Sequence, residues 1–197
     1  MNDTANIKPL RVLVAAGSRG TVSLLRQIFS VLGVRDINIA TNPGKASEFL
    51  RREHFDVAFF DSAINVEGER PLILAARERD DAANPLIPIF LMANHPSRGS
   101  VERARDEGFT DVIARPVSID TVKRKLQAVL TNPRPFIAGG DFFGPDRRSP
   151  RRPAFNGQDK RSRKARKVAL PRHVRAEADS ETEHDAVGGT ARDHVPK

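Results

Sequence analysis

Phe55-Asp-Val-Ala-Phe-Phe-Asp61 is an apolar stretch that stops on a carboxylate, and its place among the neighbouring stretches decides the fold. Phe55 to Phe60 is assigned to a strand that ends at Asp61. Upstream, Arg11 to Ala16 alternates little and is β-branched or apolar, the mark of a strand buried on both faces. Thr21 to Leu32 then repeats Val22, Leu25, Ile28, Phe29 and Leu32 at helical spacing, and Gly33 closes that helix. Ile37 to Ala40 is a second short strand. Asn42-Pro43, a capping side chain followed by proline at the first helical position, opens a helix through Ala46, Phe49 and Leu50.

Downstream of Asp61 the alternation continues. Arg70 to Arg79 fits a helix with Leu72, Ile73 and Ala76 inward, and Ile87 to Met92 is a fourth strand among Pro85, Pro88 and His95-Pro96. Val101 to Glu107 is a short helix stopped by Gly108. Asp111 to Ala114 is a fifth strand, and Ile119 to Leu130 a fifth helix with Val122, Leu126 and Val129 on one face. Strands alternating with helices imply an α/β fold with a parallel sheet covered on both sides, because right-handed crossovers lay the helices over its faces. In open sheets of this kind the ligand crevice lies beyond the carboxyl ends of the strands. Four strand ends should therefore converge: Ala15 to Ser18, Asp61 to Ala63, Met92 to Asn94, and Arg115-Pro116.

Composition agrees with one such domain and an appendage. The chain has 197 residues, 39% of them hydrophobic, and its Leu, Ile, Val and Phe are concentrated before Asn132. It has no cysteine, which excludes disulfides, thiolate zinc sites and cysteine catalysis. The start, MNDTANIKPL, is not a basic-then-apolar leader, and no stretch reaches the roughly 18 apolar residues of a membrane span. A cytoplasmic protein is expected. The five histidines, His54, His95, His173, His184 and His194, lack metal-ligand spacing. There is no Ser-His-Asp grouping, phosphate loop or nucleotide fingerprint, and Gly17-Ser-Arg-Gly20 is too short to be one. No enzymatic activity is expected.

Val12-Leu-Val-Ala-Ala-Gly17, Phe55-Asp-Val-Ala-Phe-Phe-Asp61, Ile87-Pro-Ile-Phe-Leu-Met-Ala93 and Gly108-Phe-Thr-Asp-Val-Ile-Ala-Arg-Pro116 resemble, in order, the strand motifs of the receiver domain of two-component response regulators, the CheY-like family. The resemblance covers residues 8–132. It implies a flavodoxin-like (βα)5 domain with a five-stranded parallel sheet in the order 2-1-3-4-5. It also implies a role in phosphorelay signal transduction through protein–protein contacts. The partners it implies are a histidine kinase or phosphotransfer protein and a downstream signalling protein, with homodimerisation also in the family's repertoire. Family members commonly pair or dock through the fourth and fifth helices and fifth strand, here Val101 to Arg105 and Val122 to Lys125.

Carried over residue by residue, the resemblance makes Asp61 the phospho-acceptor. Phosphoryl transfer to it needs a cation against the charge of the transferring group and a second cation to hold the product. The family's acidic pair falls on Ala16 and Gly17, neither of which ligates a hard cation through its side chain. Magnesium would rest on Asp61 and backbone carbonyls such as that of Ala63, and bind weakly; Glu67 or Glu69 in the next loop are candidate substitutes. The switch Ser/Thr at the end of the fourth strand is replaced at Met92, followed by Ala93, and Met92 offers no hydroxyl to a phosphoryl oxygen. The lysine before Pro116 is Arg115, a broad fork in place of a compact ammonium, and the aromatic of the fifth strand is Val112. Magnesium-dependent phosphorylation at Asp61 is thus expected to be weak or absent. The plainer alternatives are that Asp61 caps the turn after its strand and that Arg115 simply pairs with it.

After Asn132-Pro133-Arg134-Pro135 the periodicity disappears, and residues 133–197 read as a largely disordered basic linker and tail. The net charge of +8 is concentrated there: residues 134–172 hold 12 Lys and Arg against 3 acids, while 176–185 hold five acids and no Lys or Arg. Two short turns echo each other, Phe143-Gly-Pro-Asp-Arg-Arg148 and Asn156-Gly-Gln-Asp-Lys-Arg161. The tail has three readings: a solubilising extension, a docking segment for an acidic protein surface, or a nucleic-acid contact in which Phe142, Phe143 and Phe155 stack on bases. The third would make the chain a nucleic-acid-binding regulator with the receiver as its sensing or dimerisation element, although no helix-turn-helix fits in the tail.

Overall fold

The computed structural model describes residues 7–65, 71–139, 142–146 and 166–168. Strand and helix alternate as β1 (Arg11–Ala15), α1 (Arg19–Val31), β2 (Asp36–Ala40), α2 (Pro43–Arg52), β3 (Val57–Asp61), a 3-10 turn (Ser62–Ile64), α3 (Leu72–Ala76), β4 (Ile89–Asn94), α4 (Arg98–Glu107), β5 (Asp111–Arg115) and α5 (Ile119–Thr131). The five strands are parallel and lie in the order 2-1-3-4-5, the flavodoxin-like arrangement.

Polar caps set where the helices begin. Ser18, Asn42, Ser97 and Ser118 each accept a hydrogen bond from a backbone N–H three residues on, which satisfies a donor the helix leaves open. The cap at Ser97 starts α4 at Arg98, three residues before the expected Val101. Gly108 ends it with φ of 107°, a left-handed conformation that glycine adopts without strain. β4 is displaced from the expected 87–92: it starts after Pro88 and runs to Asn94, two residues past Met92.

Strand alternation divides the core between the two faces of the sheet. Val12, Val14, Val57, Phe59, Phe90, Met92 and Ile113 pack under α1 and α5 with Leu25, Phe29, Val122 and Leu126. Leu13, Ala15, Ala58, Phe60 and Ile89 pack on the other face with Ala46, Leu50, Leu72, Ile73 and Ala104. Phe59 is central, 5.2 Å from Phe29 and 5.1 Å from Phe90 between ring centres. Both faces of the sheet are thus covered.

Among the described residues, regular structure continues past Asn132. β6 (Phe136–Gly139) and β7 (Phe142–Pro145) form an antiparallel hairpin, and β8 (Arg166–Val168) pairs with the other edge of β6. The hairpin sits on Arg77, which follows α3 and is 6% exposed. The Arg77 guanidinium donates to the carbonyls of Pro85, Ile87 and Gly108 at 2.7 to 3.0 Å, and Phe136 closes over it. Burial lowers the Arg77 pKa to about 9, so it is still cationic at neutral pH. Phe143 lies 5.8 Å from Phe136, with Arg79 over its ring. Gly144 packs so closely on Gly108 that an added Cβ would come within 3.0 Å of the Gly108 Cα. All these anchors lie toward the N-terminal ends of β4 and β5, the edge opposite Asp61.

Thus Phe136–Gly139 and Phe142–Pro145, within the stretch expected to be linker and tail, form regular structure, with Phe136 and Phe143 partnered by Arg77 and Arg79. Residues 147–165 and 169–197 lie outside the described residues, and with them the expectation of a largely disordered tail, Phe155 and the second Gly-x-Asp-basic-basic turn.

Candidate functional site

Three of the four strand ends supply polar side chains to one crevice at the C-terminal edge of the sheet. Asp61 ends β3 and is only 2% exposed. Its Oδ1 accepts a hydrogen bond from the Ala63 N–H at 3.0 Å, which caps the 3-10 turn that follows. Its Oδ2 lies 2.5 Å from Nη2 of Arg115, the last residue of β5, whose peptide bond to Pro116 is cis. Both plain alternatives drawn from the sequence, turn cap and ion-pair partner, are present in Asp61 at once. The arrangement is compact: one carboxylate, both oxygens engaged, one guanidinium.

Arg115 has further neighbours that the sequence did not single out for a role. Asn94 is its register partner across β4 and β5, and its Oδ1 accepts from Arg115 Nη1 at 3.5 Å. Thr21, in the first turn of α1, accepts from Nη2 through Oγ1, also at 3.5 Å. Both are long hydrogen bonds that steer the guanidinium more than they bind it. Asn94 was included in the strand-end stretch Met92 to Asn94, but ending the strand at Met92 left its pairing with Arg115 unseen. Thr21 read only as the start of a helix.

The other candidate positions separate. Ala16 is fully buried and donates its N–H to the Ala40 carbonyl at 3.0 Å. Gly17 is exposed, and an added Cβ there would meet only the Thr41 carbonyl oxygen, at 3.5 Å. Met92, paired in register with Asp61, is fully buried and turns into the core with Phe59 and Phe90. Ala93 is half-buried against the opposite face, and Asn94 is the β4 residue whose side chain reaches Arg115. Val112 is buried in the second cluster. Glu67 and Glu69 lie outside the described residues.

On the expected docking surface, Ala104 and Val122 are buried, whereas Arg103, Lys123 and Arg124 are exposed. Asp111 of β5 ties the two helices together, pairing with Lys125 of α5 and, at 3.5 Å, with Arg105 of α4. Burial opposes charge on Asp111, but the hydrogen bond and charge of Lys125, the Val112 N–H and the charge of Arg105 outweigh it and hold the pKa below the ordinary value. Phe142 and Phe143, candidates for stacking on bases, are half-buried in the hairpin. No helix among the described residues is long and apolar enough to cross a membrane.

No protein-family model matches the chain, and no curated protein matches it. Solved structures do. The receiver domain of a sensor histidine kinase from Pseudomonas aeruginosa, determined with magnesium in its active-site cleft, aligns over 60% of this chain and 95% of its own at 18% identity and TM-score 0.53. The chemotaxis response regulator CheY4 of Vibrio cholerae aligns over 61% and 98% at 19% identity and TM-score 0.55. A response regulator from Chloroflexus aurantiacus aligns over 64% and 100% at 15% identity and TM-score 0.55. The chain therefore has the receiver fold, with additional sequence beyond it.

The receiver fold brings the question of magnesium, and the donor set here fits it poorly. Asp61 brings one carboxylate, both of whose oxygens are engaged, and positions 16 and 17 bring none. Among the described residues no three His, Asp or Glu side chains are grouped to hold a metal ion.

Proposed function

We infer that this chain is a response-regulator-like receiver protein of two-component phosphorelay signalling, which acts by protein–protein interaction and not as an enzyme. Asp61 stands at the acceptor position, and magnesium-dependent phosphorylation there is weak or absent. One observation carries the reading: the carboxylate at the end of β3 is 2% exposed and held in an ion pair with Arg115. A carboxylate in that state offers no open oxygen to a phosphoryl group or to the metal ion that phosphoryl transfer uses. The same pair still makes a charge-bearing strand end suited to holding one arrangement of the surrounding loops. The fold supports the rest, because partner contact is what a small α/β domain with ordered, charged helix faces offers. A histidine kinase or phosphotransfer protein upstream, a signalling protein downstream and a second copy of the chain are the partners this role calls for, in the cytoplasm.

Incubation with a small phosphodonor and magnesium, read by intact mass with Asp61→Asn as control, tests the reading. Little or no adduct is expected. Ready formation of an adduct on Asp61 that the control lacks would overturn the weak-phosphorylation part. Failure to engage any histidine kinase or phosphotransfer protein, with or without phosphoryl transfer, would count against the signalling role itself.

A further inference from the structure

Arg115 is held by Asp61 at 2.5 Å and steered from two other sides, by the Asn94 amide oxygen at 3.5 Å and by the Thr21 hydroxyl at 3.5 Å. These come from β3, β4 and α1, three separate segments, and the guanidinium side chain is 23% exposed. Asp61, at 2% exposed, needs a countercharge in place, because an ionised carboxylate out of water without one is strongly disfavoured. Arg115 meets that need, and its planar fork reaches several acceptors at once, which a lysine ammonium does less well.

We propose that the Arg115 guanidinium is the resident cation of the crevice, taking on Asp61 the place of a divalent metal ion, and that Thr21 and Asn94 are the positioning residues that keep it there. With Asp61 and Arg115 the pair is already neutral. A divalent ion would have to displace the guanidinium from Oδ2, and Arg115 would then be left with only the neutral oxygens of Asn94 and Thr21. A single carboxylate holds magnesium only weakly even when free, and with the guanidinium seated on Oδ2 it holds it more weakly still. Ala16 and Gly17 are consistent with this: with the cation built into the chain, further carboxylates would compete for it. The inference deepens the receiver reading, on which it rests for what Asp61 is for. Its consequence is that the site's state depends on whether Arg115 stays on Asp61, and not on metal concentration.

The test is titration of the full chain with magnesium alone, followed by the backbone amide NMR signals of Ser62 and Ala63. The wild-type chain is expected to show no saturable shift up to about 10 mM. Arg115→Gln should bind at least tenfold more tightly than wild type. Thr21→Val and Asn94→Ala should each tighten binding by a smaller factor, and Thr21→Ser, which restores the hydroxyl, should behave as wild type. If Arg115→Gln does not fold, Arg115→Lys takes its place, with a gain again expected. Sub-millimolar binding by the wild-type chain would overturn the proposal, and so would no gain in any Arg115 variant. Loss of such wild-type binding in Glu67→Gln or Glu69→Gln would identify what had supplied the missing acids. None of these outcomes bears on whether a kinase recognises the chain, so the receiver reading stands or falls separately.

Discussion

The Arg77 guanidinium carbon lies 5.0 Å from the centre of the Phe136 ring, so a buried cation inside the α/β domain is sealed by a residue from the chain beyond it. Arg77 spends its donors on the carbonyls of Pro85, Ile87 and Gly108. It thereby joins the end of α3, the approach to β4 and the turn before β5. Phe136, 3% exposed, keeps water from those hydrogen bonds.

The hairpin is thus part of the folded unit. Phe136→Ala should lower stability by about 3 kcal/mol, in the range for deleting a buried aromatic ring. A chain ending at Asn132 should lose at least as much. Urea unfolding checks both; a truncated chain as stable as the full one would contradict the role given to the hairpin. Arg77→Leu, which strands three carbonyls, should cost about 2–4 kcal/mol.

Asp61 and Arg115 should be strongly coupled in a double-mutant cycle. Arg115→Gln leaves a 2% exposed carboxylate uncompensated and should cost about 3–5 kcal/mol, more than Asp61→Asn, whose amide oxygen still accepts from Ala63 and whose lone partner is better exposed. The double variant should recover part of the loss. Equal and additive costs would mean the pair contributes little.

The Asp111 cluster predicts an acid-side stability loss. The folded pKa is depressed below 3.8, so its contribution is fully present above that value and is lost as pH falls through the lower, folded one. In urea midpoints measured against pH, Asp111→Asn should be less stable than wild type near neutrality. The gap should narrow as the pH drops below 3.8.

An acid introduced at position 17 should add a second carboxylate near the crevice. Gly17 is exposed and an added Cβ meets only the Thr41 carbonyl oxygen at 3.5 Å, so Gly17→Asp should fold with a cost under about 1 kcal/mol. It should also raise magnesium affinity, measured by calorimetric titration. Ala16→Asp, at a fully buried position, should be markedly less stable.

The alternation of elements and the positions of Asp61 and Arg115 were legible without coordinates. A doubly covered parallel strand is written in four or five consecutive apolar residues, and a helix in a cap and a period. Element ends were less legible: β4 passes Met92 because Asn94 has Arg115 to pair with, and a run of residues does not state its partner strand. Arg77 read as one more charged residue in Arg77-Glu-Arg-Asp-Asp81, and Phe136 to Pro145 were submerged in the composition of the basic tail.

The sequence by itself determined that residues 8–132 alternate five strands with five helices and carry a carboxylate at the end of the third strand, because burial and local hydrogen bonding are encoded within a few residues. Only the tertiary structure decided what that carboxylate faces. Arg115 and Thr21 are 94 positions apart, and Met92 turns inward while Asn94 turns to the crevice. Such meetings follow from strand register and helix placement, which long-range packing sets. They make the carboxylate at the end of β3 one half of an ion pair.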